Sequence, residues 1–204
     1  MTIPALLKHH GVDVPRYVTV DGQIVFDSVS TSATGATHPV HGLVTAVTPH
    51  TFHGGVERVS VAQDSNWWDD EDAVLIHKDA MALSFPGFAF VGPTENQVPA
   101  WFGTINTGRG SFKVGIFLRR DAGLPSIRVF GPRLGAYSSG RWIVAPHLYL
   151  NGNLCVADQS DWDAEKHTAA TATAWAAHWL SAYTEWRMSR RWPVEGVRHV
   201  LAES

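Results

Sequence analysis

Residues 98–130, VPAWFGTINTGRGSFKVGIFLRRDAGLPSIRVF, decide the fold. Three apolar or alternating runs, AWFGTIN, SFKVGIFLRR and SIRVF, are divided by Gly-Arg-Gly at 108–110 and by DAGLP at 121–125. Short runs rich in Ile, Val, Phe and Trp between Gly and Pro punctuation read as strands joined by turns. GFAFVG at 87–92 adds a strand upstream, so the region predicts a four-stranded antiparallel meander. Before it, DDEDAVLIHKDAMALSF (69–85) opens with acids that suit a helix N-terminus and places Ala73, Ile76, His77, Ala80 and Leu83 at helical spacing, ahead of Pro86-Gly87. A helix followed by a meander is an α+β signature.

Working toward the C-terminus, GRWIVAPHLYLNGNLCVADQSDW (140–162) reads as an irregular stretch, too apolar for a plain solvated loop. Pro146 fixes its backbone, Asn151-Gly152 marks a turn, and the chain's single cysteine, Cys155, comes eight residues after His147. A Cys and a His that meet across a short turn have the makings of an activated nucleophile, because the thiolate is the reactive form and an imidazole assists it. The same spacing also suits a buried Cys beside a satisfied loop His, and the residues alone leave both open. WDAEKHTAATATAWAAHWLSAYTEWRMSRR (162–191) is Ala-rich and predicts a long helix. Ser160 and Asp163 have the capping-box spacing, and Trp175, Trp179, Tyr183 and Trp186 fall on one face, as core residues do. Arg187, Arg190 and Arg191 suit the helix C-terminus, and Pro193 stops it.

Toward the N-terminus, residues 3–10 predict a short helix ended by Gly11. RYVTV, QIVFDS, HGLVTAV and VERVSVA (56–62) predict strands, Asp21-Gly22 a tight hairpin turn, and SVSTSATGATHP (28–39) a loop. Two His-x-x-His pairs, His38/His41 and His50/His53, raise the thought of zinc, but no Cys accompanies them and a spacing of three in strand or loop does not gather ligands; no metal is expected.

Composition narrows the function classes. A formal charge of -3 gives no broad attraction to phosphate backbones or anionic lipid, so neither nucleic acid nor membrane is an expected partner. One cysteine excludes an intramolecular disulfide, and neither a signal segment nor a spanning apolar run is read, so a cytoplasmic location is expected.

The order of these pieces resembles the ubiquitin-conjugating enzyme family. More closely, PHLYLNGNLC (146–155), Trp162, WAAHWLSAYTEW (175–186) and WPVEG (192–196) resemble that family's bacterial branch, found beside ubiquitin-like proteins and activating enzymes in antiphage operons. The resemblance covers about residues 69–199 and is most specific in the last sixty or so. It implies a UBC-like fold over 67–204: a helix, the meander, an active-site loop and a long C-terminal helix; residues 1–66 lie outside the resemblance and are expected to form a β-rich N-terminal extension. It implies that Cys155 carries a ubiquitin-like protein as a thioester received from an ATP-using activating enzyme, and passes it to an amine of a target protein without a cofactor. His147 would polarise the thioester carbonyl or help deprotonate the amine, with Asn151, Tyr149, Asp158 and Trp162 in supporting positions. One departure stands out: Ala145-Pro146-His147 occupies the place of the family's His-Pro-Asn, so the role of that Asn does not carry over. Asp158, Asp161 and Asp163 could orient a lysine, although Asp before a helix is ordinarily a cap. The reading requires the sulfur to lie at the surface beside the imidazole. Its rivals are a catalytically silent binding module for a ubiquitin-like protein or its activating enzyme, and a Cys-His hydrolase of another fold.

Overall fold

The structure, a computed structural model, describes residues 14–58, 66–131 and 133–194. It is α+β with antiparallel sheets. Strands β6 (Ala89–Val91), β7 (Ala100–Asn106), β8 (Ser111–Phe117) and β9 (Ser126–Phe130) pair in sequence order as the expected meander. Their register sets Trp101 opposite Ile116, and Ile116 opposite Ile127. Alternation along a strand then sends Trp101, Ile105, Val114, Ile116 and Ile127 to one buried face. Gly103 is required on that face, because a Cβ there would lie 2.5 Å from the Phe88 ring.

Helix α1 (Glu71–Ser84) is capped by the Asp70 side chain, which accepts the Asp72 amide. Its buried line is Val74, Met81 and, just past its end, Phe85, whereas Ile76 and Leu83, expected inside, are 63% and 62% exposed. Val74 and Ile76 point about 200° apart on a helix, so a segment apolar on two sides cannot itself choose which side packs. His77 does face inward, where its Nδ1 accepts the Ala169 amide at 3.0 Å.

Helix α2 (Ala169–Ser189) begins later than expected. Gln159–Asp161 instead forms a short 3-10 helix capped by Asp158, and the Asp163 carboxylate takes Lys166 and the Glu165 amide, so Ser160 and Asp163 make no capping box. The Thr168 amide, donating to Thr171 Oγ1 at 3.2 Å, starts the helix proper. The Trp175–Trp179–Tyr183–Trp186 ladder is core as expected, but nearly every other face of α2 is buried too. The reason is that α2 lies between the meander and a second sheet, packing against α1, β1, β2 and β8. Alanines at 172, 174, 176, 177 and 182 allow that close approach.

The second sheet has the order β2-β1-β5-β4-β3, from β1 (Tyr17–Thr19), β2 (Ile24–Val25), β3 (Ser30–Ser32), β4 (Gly35–His38) and β5 (Gly42–Ala46). Asp21-Gly22 turns β1 into β2 with Gly22 at φ +102°, as expected. The expected loop at 28–39 is instead the β3–β4 hairpin. All three β3 residues are exposed, so its pairing leaves no apolar alternation to read. Of VERVSVA, residues 56–58 form no strand, and the rest lies outside the described residues, as does the expected helix at 3–10. Val18 and Phe52 are fully buried in the same core as Trp101, Trp175 and Trp179, so the core is continuous across the 66/67 boundary. The junction tryptophans are anchored there: Trp68 is buried and the Trp67 indole donates to the Arg119 carbonyl at 2.7 Å.

Beyond β9 the chain makes a hairpin, β10 (Gly135–Ser138) with β11 (Arg141–Val144). The reading of 140–162 as irregular throughout missed β11, whose residues are all exposed.

Candidate functional site around Cys155

The segment from Ala145 to Asp158 turns back on itself as a narrow hairpin. Asn151-Gly152 supplies the turn, with Gly152 at φ +87°, the Gly152 amide bonded to the Tyr149 carbonyl at 2.9 Å, and the Asn153 amide bonded to Asn151 Oδ1 at 3.0 Å. Leu148 bridges Leu154, and the Cys155 amide donates to the His147 carbonyl at 3.1 Å. The hairpin therefore brings together the two residues singled out in the sequence. Two outside donors and acceptors fix it in place. The Trp179 indole donates to the His147 carbonyl at 2.9 Å, and the Leu154 amide donates to the Ile127 carbonyl at 2.9 Å. Thus the tryptophan ladder and β9 both hold the loop.

The side chains of His147 and Cys155 have separate surroundings. His147 sits at φ +56°, and its ring packs against Trp192 and Phe52 at centroid distances of 5.0 and 6.0 Å. Its Nδ1 lies 2.7 Å from the His53 carbonyl. A carbonyl only accepts, so Nδ1 carries the proton and a neutral ring keeps its lone pair on Nε2. Cys155 is 1% exposed, not at the surface as the sequence reading required. Its sulfur lies 3.8 Å from the Ala157 carbonyl. The chain before residue 59 folds across this hairpin: Gly55 bridges Tyr149 and accepts the Leu150 amide at 2.8 Å.

Burial pushes the Cys155 thiol up, the Tyr149 hydroxyl and the His53 backbone pull it back, and the carboxylates of Asp158 and Glu57 add to the rise. The closed site thus keeps sulfur as the neutral thiol, the weaker nucleophile. Burial likewise raises the Tyr149 phenol, so it serves the sulfur as a hydrogen-bond donor.

The remaining candidates take structural positions. Asp158 caps the 3-10 helix and lies 3.5 Å from His53 Nε2; its two bonds from Ser160 hold its carboxyl below the usual range. Asn151 donates to Glu57 Oε2 at 2.6 Å. The Trp162 indole donates to the Ala122 carbonyl at 2.9 Å, and its ring meets Trp175 and His167. Asp161 accepts the Thr51 amide at 2.8 Å. Of the four histidines, the His38 and His41 rings lie tilted against each other and His38 Nδ1 accepts local amides, while His50 pairs with His178 at 3.0 Å. Among the described residues no cluster of three His, Cys, Asp or Glu is arranged to hold a metal.

His53 and Glu57 belong to this site and were missed as such. Glu57 meets Asn151 from 94 positions away, and no local spacing announces a contact of that range. On the far side of His147 and Tyr149 lies an open cavity of about 910 Å³, bordered by Arg128, Arg190 and Trp192; Cys155 does not line it.

The fold is that of an α+β protein built around a cysteine-bearing hairpin. Residues 77–200 match the family described as Type II CBASS E2 protein, and the chain belongs to that bacterial E2-like family of antiphage operons. No curated protein and no solved structure matched the chain. No helix among the described residues is long and apolar enough to cross a membrane.

Proposed function

We propose that the chain is a conjugating enzyme of UBC-like fold, acting in the cytoplasm as part of CBASS antiphage defence. The Cys155 thiolate attacks the thioester that links a ubiquitin-like protein to its activating enzyme. A new C–S bond forms at the carbonyl and the activating enzyme's thiolate leaves. An amine of a target protein then attacks the same carbonyl, Cys155 leaves as thiolate, and the amine proton passes to a base or to solvent. Positioning and oxyanion stabilisation suffice for such an activated acyl group, so no cofactor is invoked. His147 serves the oxyanion or the amine, Tyr149 donates to the sulfur, and Asn151, Asp158 and Trp162 shape the loop.

One observation carries this reading: the chain's single cysteine stands opposite His147 on a hairpin inside the family-matched segment. The order of α1, meander, thiol hairpin and α2 supports the fold. The reading divides the chain into a β-rich extension over 1–66 and a catalytic domain over 67–204, which share one core.

The test is to mix the chain with an activating enzyme, ATP and a ubiquitin-like protein. A covalent adduct cleaved by thiol reagents and absent from Cys155→Ala is expected. An adduct that resists thiols, or that survives in Cys155→Ala, would falsify the proposal. A second reading, a silent module that docks the same partners, is favoured by the burial of the sulfur. It predicts binding of those partners without any adduct.

A further inference from the structure

Residues 51–57 lie outside the family-matched segment, yet they close over the thiol hairpin as a strap with one organising side chain. Glu57 Oε2 accepts the Asn151 amide group at 2.6 Å and that of Asn153 at 2.8 Å, while Oε1 accepts the Ser126 hydroxyl at 2.7 Å. One carboxylate therefore joins the strap to both sides of the hairpin turn and to β9 behind it. At the other end Phe52 is 1% exposed in the core and the Thr51 amide is held by Asp161. Between the ends stand Gly54 and Gly55, the latter at φ +97°, a conformation open to glycine. The strap is thus anchored at Phe52, jointed at the glycines and fastened at Glu57. Val56, beside the fastener, is 69% exposed and adds little burial. Hydrogen bonds to a charged group are stronger than those between neutral groups, so the carboxylate dominates at this end.

What the strap covers is the path to the sulfur. Gly55 bridges the Tyr149 backbone, and Tyr149 lines the large cavity whereas Cys155, six residues on, does not. An incoming thioester would need this arrangement to open.

We propose that Glu57 is the latch of a strap that shuts the thiol site, and that Cys155 becomes available to an acyl donor when Glu57 releases Asn151 and Asn153. Glu57 acts through the hairpin and is a positioning residue. The acyl-donor clause rests on the conjugation reading; the latch itself does not.

Because Cys155 is the single cysteine, thiol labelling of the full chain reports on it alone. The experiment is the rate of reaction with N-ethylmaleimide, followed by mass spectrometry, in buffer and in urea. The folded wild-type chain should label at least ~100-fold more slowly than the unfolded one, since labelling tracks the open population. Glu57→Ala, and from the opposite side the double variant Asn151→Ala/Asn153→Ala, should label at least ~10-fold faster than wild type with unchanged circular dichroism, tenfold corresponding to about 1.4 kcal/mol. Glu57→Gln adds a readout that a strut would not move. The groups whose hydrogen bonds or charges act on the thiol are the Tyr149 hydroxyl, the His53 backbone, Asp158 and Glu57. Losing one of the two carboxylates should lower the pH midpoint of labelling. A wild-type thiol that labels as fast as the unfolded chain, or variants that label no faster than wild type, overturn the latch. Variants that all lose their circular dichroism overturn it too, because Glu57 would then be a strut. Failure to form a thioester with labelling as expected sinks only the conjugation reading.

Discussion

Cys155 and His147 are joined through their backbones, the Cys155 amide donating to the His147 carbonyl at 3.1 Å, while the imidazole Nδ1 turns to the carbonyl of His53. The geometry of this pair thus depends on what grips the His147 peptide and ring from outside the hairpin, and each grip can be removed singly.

The first grip is the Trp179 indole, which donates to the His147 carbonyl from the centre of α2. Trp179→Phe keeps most of the buried ring and removes the donor. We expect a loss of about 1–2 kcal/mol in unfolding free energy and a severalfold slower thioester formation. Urea titration and single-turnover charging measure the two effects.

The second concerns the role of His147. Asparagine tolerates the left-handed backbone found at this residue and can donate to an oxyanion, but it is no base at neutral pH. If oxyanion donation is the role, His147→Asn should retain transfer to lysine within about tenfold and His147→Ala should lose considerably more, single donors in such sites being worth about 100-fold or more. Equal, large losses in both variants would point to the base role instead.

Tyr149→Phe removes the hydroxyl that supports the sulfur's charged form while leaving the ring in place. Burial, which raises the thiol, is then less opposed. The pH midpoint of Cys155 alkylation should move up, opposite in sign to the shift expected for Glu57→Gln.

Acid should weaken the contact between the second sheet and α2. Burial holds the His50 imidazolium at about 4, below its ordinary 6.5, with the ring wedged between Trp175 and His178. A base depressed in the folded state binds fewer protons folded than unfolded. Its contribution is therefore complete above about pH 6.5 and is lost as pH falls toward 4, by at most about 3 kcal/mol. Urea midpoints at pH 7, 5.5 and 4.5 should fall in that order, and His50→Gln should flatten the trend.

Phe52→Ala should cost about 3–5 kcal/mol, the usual range for emptying a buried phenylalanine site. Truncation at Asp69 removes this residue together with Val18 and the sheet that covers α2. We expect the shortened chain to lose its cooperative thermal transition. A truncated chain that melts like the full one would contradict the shared core.

Legibility varied with the range of the interactions involved. The meander could be read at 98–130 because β-strand alternation and Gly or Pro punctuation are local, and the four strands pair in the order they are written. The β3–β4 hairpin was illegible because its residues are exposed and its pairing is carried by backbone groups that every residue shares. In α1, residues Val74 and Ile76 are both strongly apolar, and only the packed structure decides that Val74 is the buried one. At the site, the Asn-Gly turn brings His147 and Cys155 together locally, whereas the contacts of Glu57, His53 and Trp179 span 94, 94 and 32 positions.

The sequence by itself determined the helix, the four-stranded meander and the turn that brings the thiol near a histidine residue, since turn chemistry and side-chain periodicity act over a few residues. Only the tertiary structure decided that the sulfur is buried and that residues 51–57, some hundred positions away, lie across its hairpin. The reason is physical: burial and long-range hydrogen bonds are set by which surfaces meet once the chain has folded, and no residue carries that information in its immediate neighbours.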